Sequence, residues 1–332
     1  MTLIQPGYRG YDLIGDVHGC AHTLVKLLES MGYRKVSGVF QHPRRQAIFI
    51  GDIIDRGPHI RESLHLVRDM VERGSALIVM GNHEYNALGY CTRARAGSGK
   101  TYLREHIPRH DRLIRETLEQ FAAYPREWNE FLEWFYTLPL FLELDGFRVV
   151  HACWDEHLIQ QYRETYGSPC IDEEFLHASS MLDSFAGQVM DRLLRGTDMR
   201  LPGGQTIRGK DGYERGFFRT QFWAVEPRTY GDVVFQPDPL PADIAARPLT
   251  PHDRKRLLHY GVDQPPLFVG HYWMSGTPRP ITANIACLDY SAVKYGKLAA
   301  YRMDGERTLR AEKFTWVSVD RPERSAEGRS IE

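Results

Sequence analysis

The chain is poor in cysteine and has no uninterrupted apolar segment of membrane-spanning length. Its five cysteines are odd in number and scattered, and none forms a Cys-x-x-Cys pair. This pattern argues against a secreted disulfide framework and predicts reduced thiols. The first ten residues contain no apolar core of signal-peptide length. We therefore expect a soluble, cytoplasmic protein with no membrane partner.

The sequence also lacks an excess of charge of either sign. Lysine and arginine together number 42, aspartate and glutamate 43, and the formal net charge is −1. This balance argues against bulk binding to nucleic acid or to an anionic membrane. With 332 residues, 42% of them hydrophobic, the chain is long enough to bury the core of an enzyme-sized domain with insertions.

Three motifs rich in glycine and acidic or amide residues each follow a predicted strand. They are Gly15-Asp16-Val17-His18-Gly19, Gly51-Asp52-Ile53-Ile54-Asp55-Arg56-Gly57 and Gly81-Asn82-His83-Glu84. Apolar residues at helical spacing follow the first two motifs, which indicates successive strand-loop-helix units. In such units the strands are parallel, and the loops at their carboxyl ends open on one edge of the sheet. We expect the three motifs to share a crevice.

The residue types in these motifs are those that bind hard and borderline metal ions. Extended backbone would place Asp16 and His18 on the same side of the chain, so that both hold one ion. Asp52 follows a strand directly, and its two oxygens could bridge two ions. Asn82 offers a carbonyl oxygen, whereas the side chain of the adjacent His83 diverges and is free to act as an acid. Two later motifs, Val150-His151-Ala152 and Gly270-His271, supply further imidazoles.

Together the five motifs resemble the calcineurin-like metallophosphoesterase superfamily, specifically its phosphoprotein-phosphatase branch. That branch includes phage-type phosphatases and bacterial symmetrical diadenosine tetraphosphatases. The resemblance covers residues 11–153 and 267–302. It implies that one metal ion is held by Asp16, His18 and Asp52 and the other by Asp52, Asn82, His151 and His271. It also implies that His83, oriented by Asp55, protonates the leaving group, while Arg56 binds the phosphoryl oxygens.

The resemblance implies a two-metal phosphoester hydrolase in which a hydroxide held by the metal ions attacks phosphorus. We expect Mn²⁺, with Fe or Zn²⁺ as alternatives that the mixed oxygen and nitrogen ligands also suit. The first expectation for the substrate is a phosphate monoester, as in protein serine/threonine phosphatases. The alternatives are a dinucleoside polyphosphate such as diadenosine tetraphosphate and the phosphorylated end of a nucleic acid. A non-catalytic binding protein on the same fold would be expected to have lost ligands, and none is lost here.

Three departures from the family pattern leave the substrate open. The sequence Gly270-His271-Tyr272-Trp273 lacks the second histidine of Gly-His-x-His, as the phosphoprotein-phosphatase branch also does. Asp289-Tyr290-Ser291 stands where bacterial members usually have Asp-Thr-Gly. His151 is followed by Ala152-Cys153 rather than by two glycines. None of these changes removes a predicted metal ligand.

Residues 94–101 resemble a phosphate-binding loop with alanine in place of the first glycine. Such a loop should directly follow a buried strand, but residues 86–93 are too polar and irregular to form one. We interpret residues 94–101 as an exposed Gly/Ser loop. The nearby cations Arg93, Arg95, Lys100 and Arg104 are candidates for a basic rim that attracts a phosphorylated substrate.

The architecture that the resemblance implies is an α/β sandwich of two mixed β-sheets flanked by helices, with an inserted loop-rich subdomain. We divide the chain into an N-terminal core part (11–153), an insertion or substrate lid (155–266), a C-terminal core part (267–316) and a disordered tail (320–332). Predicted strands at Ile285–Leu288 and Leu298–Tyr301 would complete the second sheet. Residues 102–137 read as helical scaffold, with core contacts at Leu113, Leu118, Phe121, Phe131 and Phe135.

The insertion contains arginines interleaved with aromatic residues. The family usually has a second phosphate-binding arginine from this part of the chain, and the candidates are Arg208, Arg215 and Arg219. The aromatic residues between Tyr213 and Trp223 could stack a base. The alternative, equally compatible with the sequence, is that they form a small core of the insertion itself.

Overall fold

The computed structural model describes residues 8–208, 214–235 and 240–320. The first part of the chain alternates strands and helices: β1 Gly10–Ile14, α1 Ala21–Ser30, β2 Arg34–Val36, β3 Val39–Gln41, β4 Arg45–Phe49, α2 Ile60–Glu72, β5 Ala76–Ile78, α3 Asn82–Cys91, α4 Pro108–Phe121, α5 Pro125–Tyr136, β6 Phe141–Leu144 and β7 Phe147–Val150.

The insertion and the return to the core follow in chain order. The insertion comprises α6 Glu156–Tyr166, α7 Glu173–Ser179, α8 Phe185–Arg195, β8 Thr197–Arg200, β9 Ile207–Arg208, β10 Glu214–Arg215, β11 Phe217–Thr220, α9 Tyr230–Val233, α10 Ala242–Ala245 and α11 Pro251–Arg256. The last core strands are β12 Leu267–Val269, β13 Ile285–Cys287, β14 Asp289–Tyr290, β15 Lys297–Met303 and β16 Phe314–Ser318.

Two mixed sheets lie at the centre of the described structure. The first has the order β14-β15-β1-β4-β5, with β16 also paired to β15, and its strands β1, β4 and β5 are parallel. The second has the order β13-β12-β7-β6, with β7, β12 and β13 parallel and β6 antiparallel to β7. The α/β sandwich of two mixed sheets predicted from the sequence is confirmed.

One strand was assigned to the wrong sheet. Residues 298–301 belong to β15, which pairs antiparallel with β1 in the first sheet, and not with β13 in the second. The chain changes sheets at Leu288, whose amide still donates to Val269 O (2.8 Å), and β14 then pairs with β15. Apolar periodicity could not show this, because it identifies a buried strand without identifying its partner.

Alternation along the central strands buries both faces of each sheet. Leu13 and Ile48 from the first sheet pack against Phe268 from the second, in the core between the sheets. Their neighbours Ile14 and Phe49 belong to the other core, which the helices cover. Burial on both faces explains why these strands read as continuous apolar runs.

The helical scaffold after α3 follows the prediction with one exception. Both α4 and α5 begin with proline, which suits the first helical position. Phe121, Phe131 and Phe135 are buried as predicted. Leu113 is only half-buried, and Ile114 takes the core position instead. The buried face of α4 runs through Ile114, Thr117 and Phe121, and Leu113 lies one residue off it.

The aromatic residues of the insertion lie mainly in cores. Phe218 joins a separate small core with Met199 and Tyr230, whereas Phe222 and Trp223 join the main core. Trp223 packs against Tyr272 with ring centroids 5.0 Å apart. The three buried rings of Phe218, Phe222 and Trp223 fit the small-core alternative, whereas Phe217 is 43% exposed and has the Arg200 guanidinium 5.0 Å from its ring centroid. The predicted stacking residue Tyr213 lies outside the described residues.

Several further predictions can be set against the described residues. The five cysteines all lie in the described part of the chain, and none of them forms a disulfide there. No helix in residues 8–208, 214–235 and 240–320 is long and apolar enough to cross a membrane. All but Asp320 of the predicted disordered tail, 320–332, lies outside the described residues. The other domain boundaries stay predictions.

Candidate metal centre

The carboxyl ends of parallel strands from both sheets deliver the predicted ligands to one place. Asp16 and His18 follow β1, Asp52 follows β4, and Asn82 begins α3 after β5. From the second sheet, His151 follows β7 and His271 follows β12. All six side chains belong to buried residues, none more than 8% exposed. The shared strand-end edge is the arrangement that the βα units predict.

Asp52 and Asn82 lie at the middle of this group. The Oδ2 atom of Asp52 is 3.4 Å from His151 Nε2 and 3.6 Å from His18 Nε2. The Oδ1 atom of Asn82 is 3.0 Å from His151 Nε2 and 2.7 Å from His271 Nδ1. Each oxygen therefore faces imidazole nitrogens that come from other segments of the chain.

Backbone carbonyls orient two of the imidazoles. His18 Nδ1 lies 2.8 Å from Ile54 O, and His151 Nδ1 lies 2.6 Å from Ile50 O. Because a carbonyl oxygen only accepts, each Nδ1 carries the proton and donates it. Neutral imidazole would then present its lone pair on Nε2, which faces the centre in both residues. Without a cation, although burial opposes it, the Asp52 carboxylate raises the pKa of His151 to about 10. This is the outer-shell arrangement typical of metal-binding histidines.

The donor set fits divalent cations. Within the described part of the chain, the buried atoms Asp16 Oδ1, His271 Nε2 and Asp289 Oδ2 have no hydrogen-bond partner. Burial and the nearby Asp289 carboxylate hold the pKa of Asp16 well above its usual range, and burial raises the pKa of Asp289 to about 6. Buried acceptors without partners are costly, and a cation bound among them would satisfy them.

The loops around the centre are tightly turned, which corrects one sequence prediction. His18 has φ 43°, in the left-handed region, so the backbone there is not extended. The amides of Val17 and His18 both donate to Asp52 O, at 3.1 and 2.9 Å, and this bends the loop. Asp16 accordingly groups with Asp52 and His151, while His18 groups with Asp52 and His83, each group within 4.8 Å.

Close backbone approach explains two motif glycines. A Cβ atom on Gly270 would lie 2.1 Å from Asp16 Oδ1, and one on Gly81 would lie 2.3 Å from Asp52 Oδ1. Any larger residue at either position would displace a carboxylate of the centre.

His83 takes part in a hydrogen-bonded chain with Asp55 and Thr117. His83 Nδ1 is 2.5 Å from Asp55 Oδ2, and Thr117 Oγ1 donates to Asp55 Oδ1 at 2.5 Å. Burial raises the pKa of Asp55 to about 7 and lowers the pKa of His83 to about 3. The Asp55 carboxylate therefore holds Nδ1 of His83, and Thr117 fixes that carboxylate. Thr117, in α4, was not identified as a site residue from the sequence.

Arg56 reaches the same centre from the second motif. Arg56 Nη1 donates to His18 Nε2 at 3.1 Å. The Arg56 guanidinium lies 5.0 Å from the centroid of the Trp273 ring. Lys294 Nζ lies 3.7 Å from the same ring centroid. A cationic group and an aromatic face are thus adjacent at the rim of the centre.

Two acidic residues at the centre have roles that the sequence analysis did not assign. The Glu84 carboxylate accepts from the amides of Asp52 (2.9 Å), Ile53 (2.8 Å) and Gly81 (3.0 Å), and so ties the second motif loop to α3. A glutamate three residues after the glycine that begins a helix is the sequence signal from which this role of Glu84 could have been predicted. Asp289 is buried beside Asp16, and its Oδ1 accepts from the amide of Ser291 at 2.9 Å.

Of the three candidate arginines in the insertion, the structure brings Arg219 to the centre. Burial is the main reason that the pKa of His271 is low, and the positive charge of Arg219 lowers it further. The Arg219 guanidinium lies 6.0 Å from the Tyr272 ring centroid. Arg208 and Arg215 lie on the paired strands β9 and β10, and residues 209–213 are outside the described residues.

The predicted basic rim is only partly present. Arg104 is near enough to Asp55 and His83 for its positive charge to act on both side chains. Arg195, which the sequence analysis did not single out, donates to Asn86 Oδ1 at 2.9 Å and adds a second cation on the α3 side. Arg95 instead forms an exposed pair with Glu174, and Arg93 lies over the Tyr102 ring.

Comparison with known proteins identifies relatives that match part of the chain. A 157-residue segment is 33% identical to an asymmetrical bis(5′-nucleosyl)-tetraphosphatase PrpE from Oceanobacillus iheyensis, covering 45% of this chain and 58% of that protein. A 74-residue segment is 46% identical to the protein of the same name from Halalkalibacterium halodurans, covering 22% of this chain and 30% of that protein. The match therefore spans only part of each relative's own length.

Among solved structures, a protein serine/threonine phosphatase from Saccharomyces cerevisiae is similar with a TM-score of 0.49 and 14% identity, covering 95% of this chain and 81% of that one. The family model of the calcineurin-like phosphoesterases matches residues 11–194. That range includes five of the six predicted metal ligands and more than half of the chain, which therefore belongs to the calcineurin-like phosphoesterase family.

Proposed function

We propose that the protein is a metal-dependent phosphoester hydrolase. One observation carries this proposal: oxygen and nitrogen atoms that can bind metal ions lie together around Asp52 and Asn82. The Arg56 guanidinium and the His83–Asp55 pair lie beside them. Two divalent ions, with Mn²⁺ our first expectation, would be held by Asp16, His18, Asp52, Asn82, His151 and His271. When bound, such ions activate the attacking water and neutralise charge on the phosphoryl oxygens.

The other side chains have separate roles in this proposal. Arg56 binds phosphoryl oxygens, since its planar guanidinium can donate to two of them at once. His83 donates a proton from Nε2, the ring nitrogen that faces Asp52, while Asp55 holds its Nδ1, and so makes the departing oxygen a better leaving group. Asp55 and Thr117 position the imidazole. Glu84 keeps the loop that carries Asp52 and Arg56 in place.

For the substrate we propose a nucleotide with a chain of phosphates, such as a dinucleoside tetraphosphate. The named activity of the curated relatives supports this class. The arrangement of cations also favours it: Arg104 and Arg195 lie on one side of the centre and Arg219 on the other, besides Arg56. A single phosphoryl group does not need so many. Trp273 adds an aromatic ring beside Arg56 and Lys294 at the rim of the centre, where a base could contact it.

Phosphate monoesters, including phosphopeptides, are the second candidate. The Arg56 guanidinium beside the metal ligands favours them, because it suits a terminal phosphoryl group. The two candidates differ in what they need beyond the centre: a monoester requires only the ligands and Arg56, whereas a dinucleotide also requires the outer arginines and an aromatic platform.

The test is a substrate panel with the purified protein and Mn²⁺: diadenosine tetraphosphate, a phosphoserine peptide, an oligonucleotide with a terminal phosphate and glycerol phosphate. We expect the highest kcat/KM for diadenosine tetraphosphate, and chromatography of the products will show which anhydride bond is cut. Efficient phosphopeptide turnover with negligible tetraphosphate cleavage would contradict the substrate class. No hydrolysis of any member by metal-loaded protein would contradict the activity itself.

A further inference from the structure

A second group of metal-binding side chains lies outside the candidate centre, where α1 and α2 begin. His22 is the second residue of α1, His59 directly precedes α2, and Glu62 is in the first turn of α2. One ligand atom from each lies within 4.8 Å of the others. The side chains of His22 and Glu62 are 58% and 60% exposed, so the group opens to solvent, unlike the buried centre.

The distances within this group fit a single small ion. His22 Nε2 is 3.4 Å from Glu62 Oε2, and His59 Nδ1 is 3.8 Å from the same oxygen. The two imidazole rings lie with centroids 4.0 Å apart. Ligand atoms about 2.0–2.2 Å from a tetrahedral zinc ion lie about 3.3–3.6 Å from one another. Small rotations of exposed side chains would therefore bring all three atoms into coordination.

We propose that His22, His59 and Glu62 form a binding site for a zinc-like transition-metal ion, separate from the candidate catalytic centre. Two imidazoles and one carboxylate are a donor set that zinc uses, with the fourth position open to water. Imidazole ligands select late first-row ions over Mg²⁺ and Ca²⁺, which prefer oxygen. The partial positive charge at the starts of two helices also opposes a cation held by charge alone. Coordinate bonds from the imidazole nitrogens would offset this repulsion.

An ion at this site would link the two loops that carry catalytic side chains. Helix α1 follows the loop of His18, and α2 follows the loop of Arg56. The loops already touch, because His59 N donates to Gly19 O at 3.0 Å and Gly19 N donates to Ile53 O at 2.9 Å. A metal bridge from His22 to His59 and Glu62 adds a second connection beside these hydrogen bonds. Its expected effect is to stabilise the folded chain, and not to take part in the reaction.

The experiment measures bound zinc per chain in the full-length protein at a fixed free Zn²⁺ concentration, by equilibrium dialysis and elemental analysis. The variants are His22→Ala and Glu62→Gln. The matched control is His157→Ala, because His157 is also an exposed second residue of a helix, α6. We expect the wild type and the control to bind one equivalent more than the two variants. Equal zinc content in all four proteins would overturn the proposal and leave an ordinary surface ion pair.

Cobalt substitution gives a second readout that does not depend on the catalytic centre. In an Asp52→Asn background, which weakens that centre, Co²⁺ at the proposed site should still give the visible absorption band of a low-coordinate ion. Adding His22→Ala should remove that band. A band that persists without His22 would contradict the assignment. Circular dichroism of each variant confirms the fold, which substitution of exposed side chains should leave intact.

Discussion

Asp52 is the residue on which the candidate centre depends most. Its carboxylate lies near three imidazoles, those of His18, His83 and His151, and its Oδ1 also accepts from the amide of His83 at 2.9 Å. Although burial opposes ionisation, the neighbouring histidines hold the pKa of Asp52 well below its usual range. An ionised carboxylate in such a position is suited to bridge two cations.

The first prediction separates a metal ligand from a proton donor. Asp52→Asn should lower metal content and turnover together, because the amide removes the central negative charge. His83→Asn should retain the metal and lose about 10²–10⁴-fold in kcat, the usual contribution of a general acid. The measurements are elemental analysis and steady-state kinetics with a series of aryl phosphates.

Leaving-group dependence is the control within this comparison. Loss of a proton donor matters most for a poor leaving group, so the His83→Asn defect should shrink as the leaving group improves. An equal defect across the series would show that His83 acts by positioning and not as an acid.

At the scale of single elements, α3 joins two functions. Its first residues supply Asn82 and His83, and its Glu84 accepts hydrogen bonds from the loop that follows β4. The helix start and the loop therefore hold each other in position. The left-handed conformations of Asp52, Asp55 and Arg56, with φ of 53°, 71° and 69°, show how tightly that loop is turned.

The second prediction concerns this link. In Glu84→Gln a side-chain amide takes the place of a carboxylate that accepts hydrogen bonds from several backbone amides. Its NH₂ group, itself a donor, would face those same donors. We expect a loss of about 2–4 kcal/mol in the free energy of unfolding, from weakened charge-assisted hydrogen bonds. Urea denaturation with chelator present measures it without a metal contribution.

The matched control for this substitution is Glu133→Gln on α5, an exposed glutamate. It should change stability by less than about 0.5 kcal/mol. If Glu84→Gln were equally mild, the loop would be held by its other contacts.

At the scale of the whole molecule, the centre lies between the two sheets, and its ligands come from segments far apart in the chain. The amide of His271, for example, donates to Asp16 Oδ2 at 3.1 Å across 255 positions. Metal ions at this junction would therefore hold the N-terminal and C-terminal core parts together, so that metal binding and folding stability are coupled.

The third prediction follows from this coupling. Exhaustive chelation should abolish phosphoester hydrolysis and lower Tm, and added Mn²⁺ should restore both. An ion at a hundredfold excess over its Kd contributes about 2.7 kcal/mol per site. Calorimetry with and without chelator measures the shift, and Asp52→Asn should show a smaller one. Full activity of metal-free protein would contradict a metal-dependent reaction.

The sequence alone determined the chemistry at the strand ends. The resemblance of the five motifs to a known family selected Asp16, Asp52, Asn82, His151 and His271. Their positions after predicted strands explain why they can meet, because parallel strands bring such positions to one edge. The two mixed sheets were expected from the resemblance to the family. The helical scaffold was predictable from helical spacing, a local pattern that needs only the chain within a few residues of each position.

Tertiary structure alone decided the pairings between distant segments. The place of β15 beside β1, the hydrogen bond from Thr117 to Asp55, the amides that Glu84 accepts from and the approach of Arg219 to His271 are examples. The group of His22, His59 and Glu62 is another. Local patterns show that a side chain is buried or polar but not which segment it meets, because that contact is fixed only when the sheets and helices pack.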